Sequence, residues 1–202
     1  MSLVSWKGHA LCAVDVETSG TLPGYHEIVQ IACVPLNQHM EPHPELRHFY
    51  MDIKPDFPER MNPEAVKKHG LTVDYLDQCV SQDRAVDLFI EWFESLGLLF
   101  GKRLLPLAHN WAFERGFLMY WLGLEGFDSM WQGTGRDTMT AAGFINDLYV
   151  WHGRKHPFNY VNLKAICDRF DIHLDKAHDA LADCLATAKL YAEYMRFLGG
   201  QA

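Results

Sequence analysis

The chain has 202 residues, 49% of them hydrophobic, and a net charge of −8 with its histidines neutral. That is enough apolar material for one globular domain, read here as residues 1–202 with a core spanning 10–198, and no apolar run is long enough to span a membrane. The acidic balance argues against a protein that coats duplex nucleic acid by bulk electrostatics, although acids gathered in a pocket bias such a count. Five cysteines, Cys12, Cys33, Cys79, Cys167 and Cys184, are scattered and odd in number. No pair has zinc-ligand or redox spacing, so they read as reduced thiols in a cytoplasmic setting. The opening MSLVSWKGHALCAV lacks the long apolar core and cleavage site of a signal peptide.

HALCAVDVET (9–18) reads as a strand, closed by Ser19-Gly20. EIVQIACVPL (27–36) is a second, apolar on both faces and therefore central. RHFYMDIKP (47–55) is a third, ended by Pro55. Pro63 suits a helix start just after Asn62. From Asp83 to Gly97, the spacing of Ala85, Leu88, Phe89, Trp92, Phe93 and Leu96 predicts a helix. RLLPLAHN (103–110) reads as a fourth strand despite Pro106, and Trp111 to Leu122 as a helix. A short strand before Asp137 leads into a helix ending near Val150. Asn162 is placed to cap LKAICDRF. The last helix runs from about Asp179 to Leu198, with Leu181, Cys184, Leu185, Ala188, Tyr191 and Met195 inward. Three strands pairing as a meander, followed by strands alternating with helices, imply an α/β fold: a mixed sheet with added parallel strands and helices on both sides.

Asp15 and Glu17 lie two apart on the first strand, so both side chains point the same way, roughly 7 Å apart along it. They sit at its C-terminal end, where open α/β sheets place their sites. A solvated strand end is the bland explanation, but Val14 and Val16 on the other face mark the strand as central. Two ionised carboxylates side by side repel unless a cation joins them. Glu114 raises the same question: it shares a helix face with Phe117, Leu118 and Trp121, where a carboxylate needs a positive partner. In HDALAD (178–183), Asp179 is placed to cap the last helix and Asp183 falls in its first turns, where the helix dipole tolerates an anion. His178, just ahead, is a candidate base, because neutral imidazole takes a proton from water near pH 7.

VDVETSG (14–20), HNWAFERGFL (109–118) and HDALAD resemble the three motifs of the DnaQ-like 3′–5′ exonucleases. The histidine five residues before the last aspartate is similar to the DEDDh branch; the sister branch carries Tyr at the position held here by Asp179. HEIVQIACVPLN, KHGLT and AHDALADCLATAKLY match weaker landmarks in order, so the resemblance spans residues 10–195. It implies a ribonuclease H-like fold, two divalent ions, Mg²⁺ or Mn²⁺, and stepwise release of nucleoside 5′-monophosphates from a nucleic-acid 3′ end. By position, Asp15, Glu17, Glu114 and Asp183 would bind metal and His178 would deprotonate the attacking water. Glu114 stands where the family usually has Asp, one methylene shorter, and magnesium demands near-ideal octahedral geometry. Thr21 stands where relatives often carry a Leu that wedges against the terminal base, a role Leu22 is next in line to take. Thr18 is expected near the terminal sugar, and Asn110 and Phe113 in the nucleotide pocket. Asp137 lies in a landmark position of the family without being one of its usual ligands, and reads either as structural or as a support behind the metal ligands. The loop WHGRKHPF (151–158) is locally basic and flanked by aromatics, a pattern suited to a phosphate backbone and a stacked base, or simply to solvent. Single-stranded or frayed DNA is the expected substrate. An RNA-trimming relative and a catalytically weakened nucleic-acid-binding module are the alternatives, and a homodimer or a polymerase partner is left open.

Overall fold

The computed structural model describes residues 5–6, 8–174 and 176–199. The ends of the 1–202 reading lie outside them. The strands are β1 (Ser5–Trp6), β2 (His9–Thr18), β3 (Ile28–Pro35), β4 (Phe49–Asp52), β5 (Leu104–Ala108) and β6 (Arg136–Asp137). The helices are α1 (Pro63–His69), α2 (Val73–Leu76), α3 (Gln82–Ser95), α4 (Trp111–Met130), α5 (Thr138–Trp151), α6 (Leu163–Arg169) and α7 (Ala180–Gly199). In space the sheet runs β4-β3-β2-β5-β6, with the short β1 paired to β2. The β2–β3 and β3–β4 pairs are antiparallel, whereas β5 joins β2, and β6 joins β5, in parallel. The expected meander with parallel additions is therefore the fold, a mixed sheet.

β2 and β3 lie inside the sheet, and every β3 residue is buried. Side chains alternate along β2. Ala10, Cys12, Val14 and Val16 join the core built on α3 and α4, with Ala85, Phe89, Phe117 and Leu118. Leu11 and Ala13 face the other way, onto Ala180, Cys184 and Ala188 of α7. Asp15 and Glu17 continue this second row beyond its apolar part.

Pro106 is accommodated by strand parity. The carbonyl of Arg103 accepts from Ala10 of β2, and that of Leu104 accepts from Gln132 on the other side. Pro106 shares the parity of Leu104, so its missing N–H points away from β2. On that side β6 pairs only from Leu107 onward.

Several details differ from expectation, among them the third strand, read as 47–55 and found as Phe49–Asp52. The helix expected to end at Leu122 bends at Gly123 (φ 69°, ψ 161°) and resumes to Met130, because glycine takes positive φ at little cost. On α7, Met195 is 46% exposed rather than inward. It keeps the angular position of Cys184 but lies about 16 Å further along the helix, where the row against the sheet has ended. There Leu190 and Tyr194 pack instead against Ile145 of α5 and Ile166 of α6.

Candidate active site

The C-terminal end of β2 opens into a cleft of about 310 Å³. Asp15, Glu17, Glu114, His178 and Asp183 all line it, as do Thr18, Asn110 and Phe113. Three segments more than 60 residues apart thus converge on one cleft. Leu22 stands outside the lining, 59% exposed on the adjoining turn, while Thr21 lines the cleft.

Each side chain is held by local structure. Asn110 starts α4 in a left-handed conformation (φ 99°). Asp137 fixes that start: its carboxylate accepts the N–H groups of Asn110 (3.3 Å) and Trp111 (3.0 Å). The same carboxylate caps α5 through Met139 (2.9 Å) and Thr140 (3.0 Å), so Asp137 serves the backbone. Glu114 follows in the first turn of α4 and is 3% exposed. Asp183 sits in the first turn of α7, where Asp179 caps the helix by accepting from Ala182 at 3.2 Å. The N–H of His178 donates to Asp183 Oδ2 at 3.3 Å, and His178 also has positive φ (64°).

Ligand atoms of Glu17, His178 and Asp183 lie within 4.8 Å of one another. Asp15 and Glu114 couple to this group electrostatically. Burial, then Glu17, Asp183, Glu114 and Asp179, push the Asp15 carboxyl well above the usual carboxylate range. Burial first and then Asp183 and Asp179 raise Glu17 to about 8, against the opposing pull of Lys68 and Lys176. Burial likewise raises Glu114 and takes Asp183 to about 6. Burial and then Lys68 lower His178, which favours neutral imidazole.

Two buried carboxylate oxygens in this cleft, Glu114 Oε2 and Asp183 Oδ1, have no hydrogen-bond partner among the described residues. An orphaned, desolvated carboxylate oxygen is costly unless a cation meets it. Clustered carboxylates are also the hard oxygen donors that Mg²⁺ and Mn²⁺ prefer. The residues therefore fit a divalent metal centre on chemical grounds.

The exonuclease family model RNase_T matches residues 12–117. The chain belongs to the DnaQ-like exonuclease family. The matched stretch holds VDVETSG and all but the last residue of HNWAFERGFL; His178 and Asp183 lie beyond it and reach the cleft through the fold. Over 155 residues it is 26% identical to DNA polymerase III subunit epsilon of Pasteurella multocida (strain Pm70), covering 76% of this chain. The chain spans 53% of that relative's length. Its fold is similar to E. coli Exonuclease I in complex with a dT13 oligonucleotide (TM-score 0.70, 17% identity, 96% of this chain and 43% of that one). It is also similar to a 3′-exonuclease recognising a histone mRNA stem-loop (TM-score 0.67, 15% identity, 98% of this chain and 67% of that one). Members of the family are metal-dependent exonucleases acting on nucleic acids. No described helix is long and apolar enough to cross a membrane.

Several cleft residues escaped the sequence reading. Asn62 was legible as the α1 cap, which accepts from Glu64 at 2.9 Å, but not as a lining residue. Lys68 and His69 lie in the KHGLT landmark without any pattern that aims them at the cleft. His69 is 6% exposed, and its Nδ1 accepts the Leu71 N–H at 3.0 Å. His109 lines the cleft too, with Nδ1 2.8 Å from Thr138 Oγ1.

Proposed function

We propose that this exonuclease removes nucleotides one at a time from the 3′ end of single-stranded or frayed nucleic acid, releasing nucleoside 5′-monophosphates. The observation that carries this reading is the convergence of four carboxylates and His178 on one cleft, with orphaned oxygens on Glu114 and Asp183. Asp15, Glu17, Glu114 and Asp183 would hold two divalent ions, Mg²⁺ or Mn²⁺. Bound there, such ions supply stabilisation of the negative charge on the attacking and leaving oxygens. His178, kept neutral by partial burial and Lys68, takes the proton of the attacking water at a ring nitrogen. Its exposed position leaves it free to pass that proton to solvent.

Thr18, Asn110 and Phe113 are the proposed contacts to the terminal nucleotide, with Leu22 at the rim. The Thr18 hydroxyl donates to the Gly20 carbonyl at 2.6 Å, which leaves its oxygen able to accept from a sugar hydroxyl. Phe113 packs on Phe117, with ring centroids 4.9 Å apart, and is half-buried, so part of its ring remains for a base or sugar.

DNA is the favoured substrate, in keeping with the similarity to a DNA polymerase III subunit and to an exonuclease complexed with dT13. The likeness to a 3′-exonuclease acting on histone mRNA supports RNA as the second reading. A polymerase partner is proposed on the first of these similarities alone. We take the described residues as one exonuclease domain. The test is digestion of 3′- and 5′-labelled DNA and RNA strands with Mg²⁺ or Mn²⁺, alongside a reaction in excess EDTA. The expected result is stepwise loss from the 3′ end of DNA, absent in EDTA. Robust cleavage in EDTA, or shortening from the 5′ end, overturns the proposal. Binding without cleavage under either metal would identify a weakened binding module instead.

A further inference from the structure

We propose that Gln30 is a positioning residue, whose side-chain amide ties the start of α7 to the carboxylate-bearing part of the sheet and so sets His178 and Asp183 against Glu17. The inference rests on the reading of the cleft given above, in which His178 and Asp183 take part in hydrolysis.

Gln30 is the direct cross-strand partner of Glu17, so the two side chains share the sheet face that α7 covers. It is 2% exposed, a place where an amide is costly unless its polar atoms are satisfied. Both ends are. Oε1 accepts the N–H of Ala180 at 2.8 Å. Nε2 donates to Asp52 Oδ1 at 2.6 Å and to the Tyr50 hydroxyl at 3.1 Å. Only the oxygen can accept an N–H and only the nitrogen can donate to a carboxylate, so these partners fix the orientation of the amide.

Ala180 is the first residue of α7, and its N–H is one of the donors a helix start leaves without an internal partner. It follows His178 by two residues and precedes Asp183 by three. A second arm reinforces the tie: the Tyr50 hydroxyl donates to Asp179 Oδ2 at 3.0 Å. From behind, the Tyr75 hydroxyl donates to the other oxygen of Asp52. The chain entering α7 is thereby held by β3, β4 and α2 together.

Two features explain why a tie is needed. The fully buried α7 residues against the sheet, Ala180, Cys184 and Ala188, are small, and the larger Leu181, Leu185 and Tyr191 pack there only partly buried, so the apolar contact alone fixes the helix start loosely. His178 also has left-handed backbone, which a non-glycine residue keeps only when its surroundings over-determine it. A buried, directional bond at Ala180 adds register at the helix start, one turn before the Cys184 thiol donates to the Ala32 carbonyl at 3.4 Å. A misplacement of about 1 Å costs on the order of 10²-fold in rate.

The test uses Gln30→Leu, which keeps bulk but removes the amide, and Tyr50→Phe, which removes the second arm at a partly exposed residue. Four quantities are read: kcat and KM on a single-stranded DNA oligonucleotide, Mn²⁺ affinity by calorimetry, and amide exchange of Ala180 in the metal-free protein. For Gln30→Leu, kcat should fall by about 10- to 100-fold with KM within about two-fold. Mn²⁺ affinity should fall by about ten-fold. Exchange at Ala180 should quicken while the melting transition stays cooperative. Tyr50→Phe should show the same pattern to a smaller degree. Folded variants with parent kcat and parent Mn²⁺ affinity overturn the proposal and leave Gln30 as a helix cap only. If Gln30→Leu does not fold, Tyr50→Phe decides by the same readouts. If Mn²⁺ affinity and exchange change as expected while His178→Ala cleaves at the parent rate, the role of His178 fails and the tie stands.

Discussion

Removing one charge from the cleft should make the metal-free protein more stable, and Glu17→Gln is the perturbation of choice. A Glu17 carboxylate oxygen lies within 4.8 Å of an Asp183 oxygen. At that separation two ionised carboxylates repel by about 3.5 kcal/mol for an effective dielectric of about 20. Burial first, and then this repulsion and that of Asp179, raise the Glu17 carboxyl from 4.5 to about 8. Between those values the acid holds its proton in the folded chain and loses it in the unfolded one. Its contribution to stability is therefore fully present below about pH 4.5 and is lost as pH rises through about 8. Glutamine does not titrate. The unpaired amide should leave the variant less stable than the parent by about 1–2 kcal/mol at about pH 5, and by about pH 9 the variant should be the more stable by about 2–3 kcal/mol, a change of about 4 kcal/mol across the range. For a chain of this length that is a rise of about 5–10 °C in Tm. The assay is thermal unfolding in EDTA across this pH range. Saturating Mn²⁺ should reverse the order, since an ion held at about 100 times its Kd stabilises the parent by about 2.7 kcal/mol and the variant by less. Equal melting of the two proteins at pH 9 in EDTA would refute the reasoning, because the cleft would then carry no uncompensated charge.

Three further outcomes are expected. His178→Ala should turn over about 10²-fold more slowly or worse while metal and substrate still bind; parent rates from pH 6 to 9 would mean that another group takes the proton. Glu114→Ala should lose most activity with either ion, the parent should run faster with Mn²⁺ than with Mg²⁺, and Glu114→Asp should narrow that gap, because a longer ligand suits the ion more tolerant of geometry. Cleavage rates at saturating metal check all three, and near-parent rates for Glu114→Ala would remove Glu114 from the metal centre. Asp137→Ala should destabilise the fold by about 2–3 kcal/mol, since it strips a helix cap and two further N–H groups of their acceptor; denaturant unfolding within about 0.5 kcal/mol of the parent would show that water satisfies those groups equally well.

What the sequence determined by itself follows from properties of the local backbone. Alternation along an extended strand puts Asp15 and Glu17 on one face whatever the rest of the chain does, and helical spacing turns Glu114 toward the side of Phe117 and Leu118. Caps are equally local: Asn62, Asn162 and Asp137 bond N–H groups two or three residues away. Tertiary structure alone decided which distant groups meet. Gln30 reaches the N–H of Ala180 across 150 residues because β3 lies beneath the start of α7. His69 turns into the cleft, Met195 overhangs the sheet, and Pro106 fits because β6 begins just beyond it. None of these positions differs in local pattern from the alternatives. Each depends on which strands are neighbours and where a helix ends against them, and that is set by the packing of the whole core rather than by the preference of any short segment.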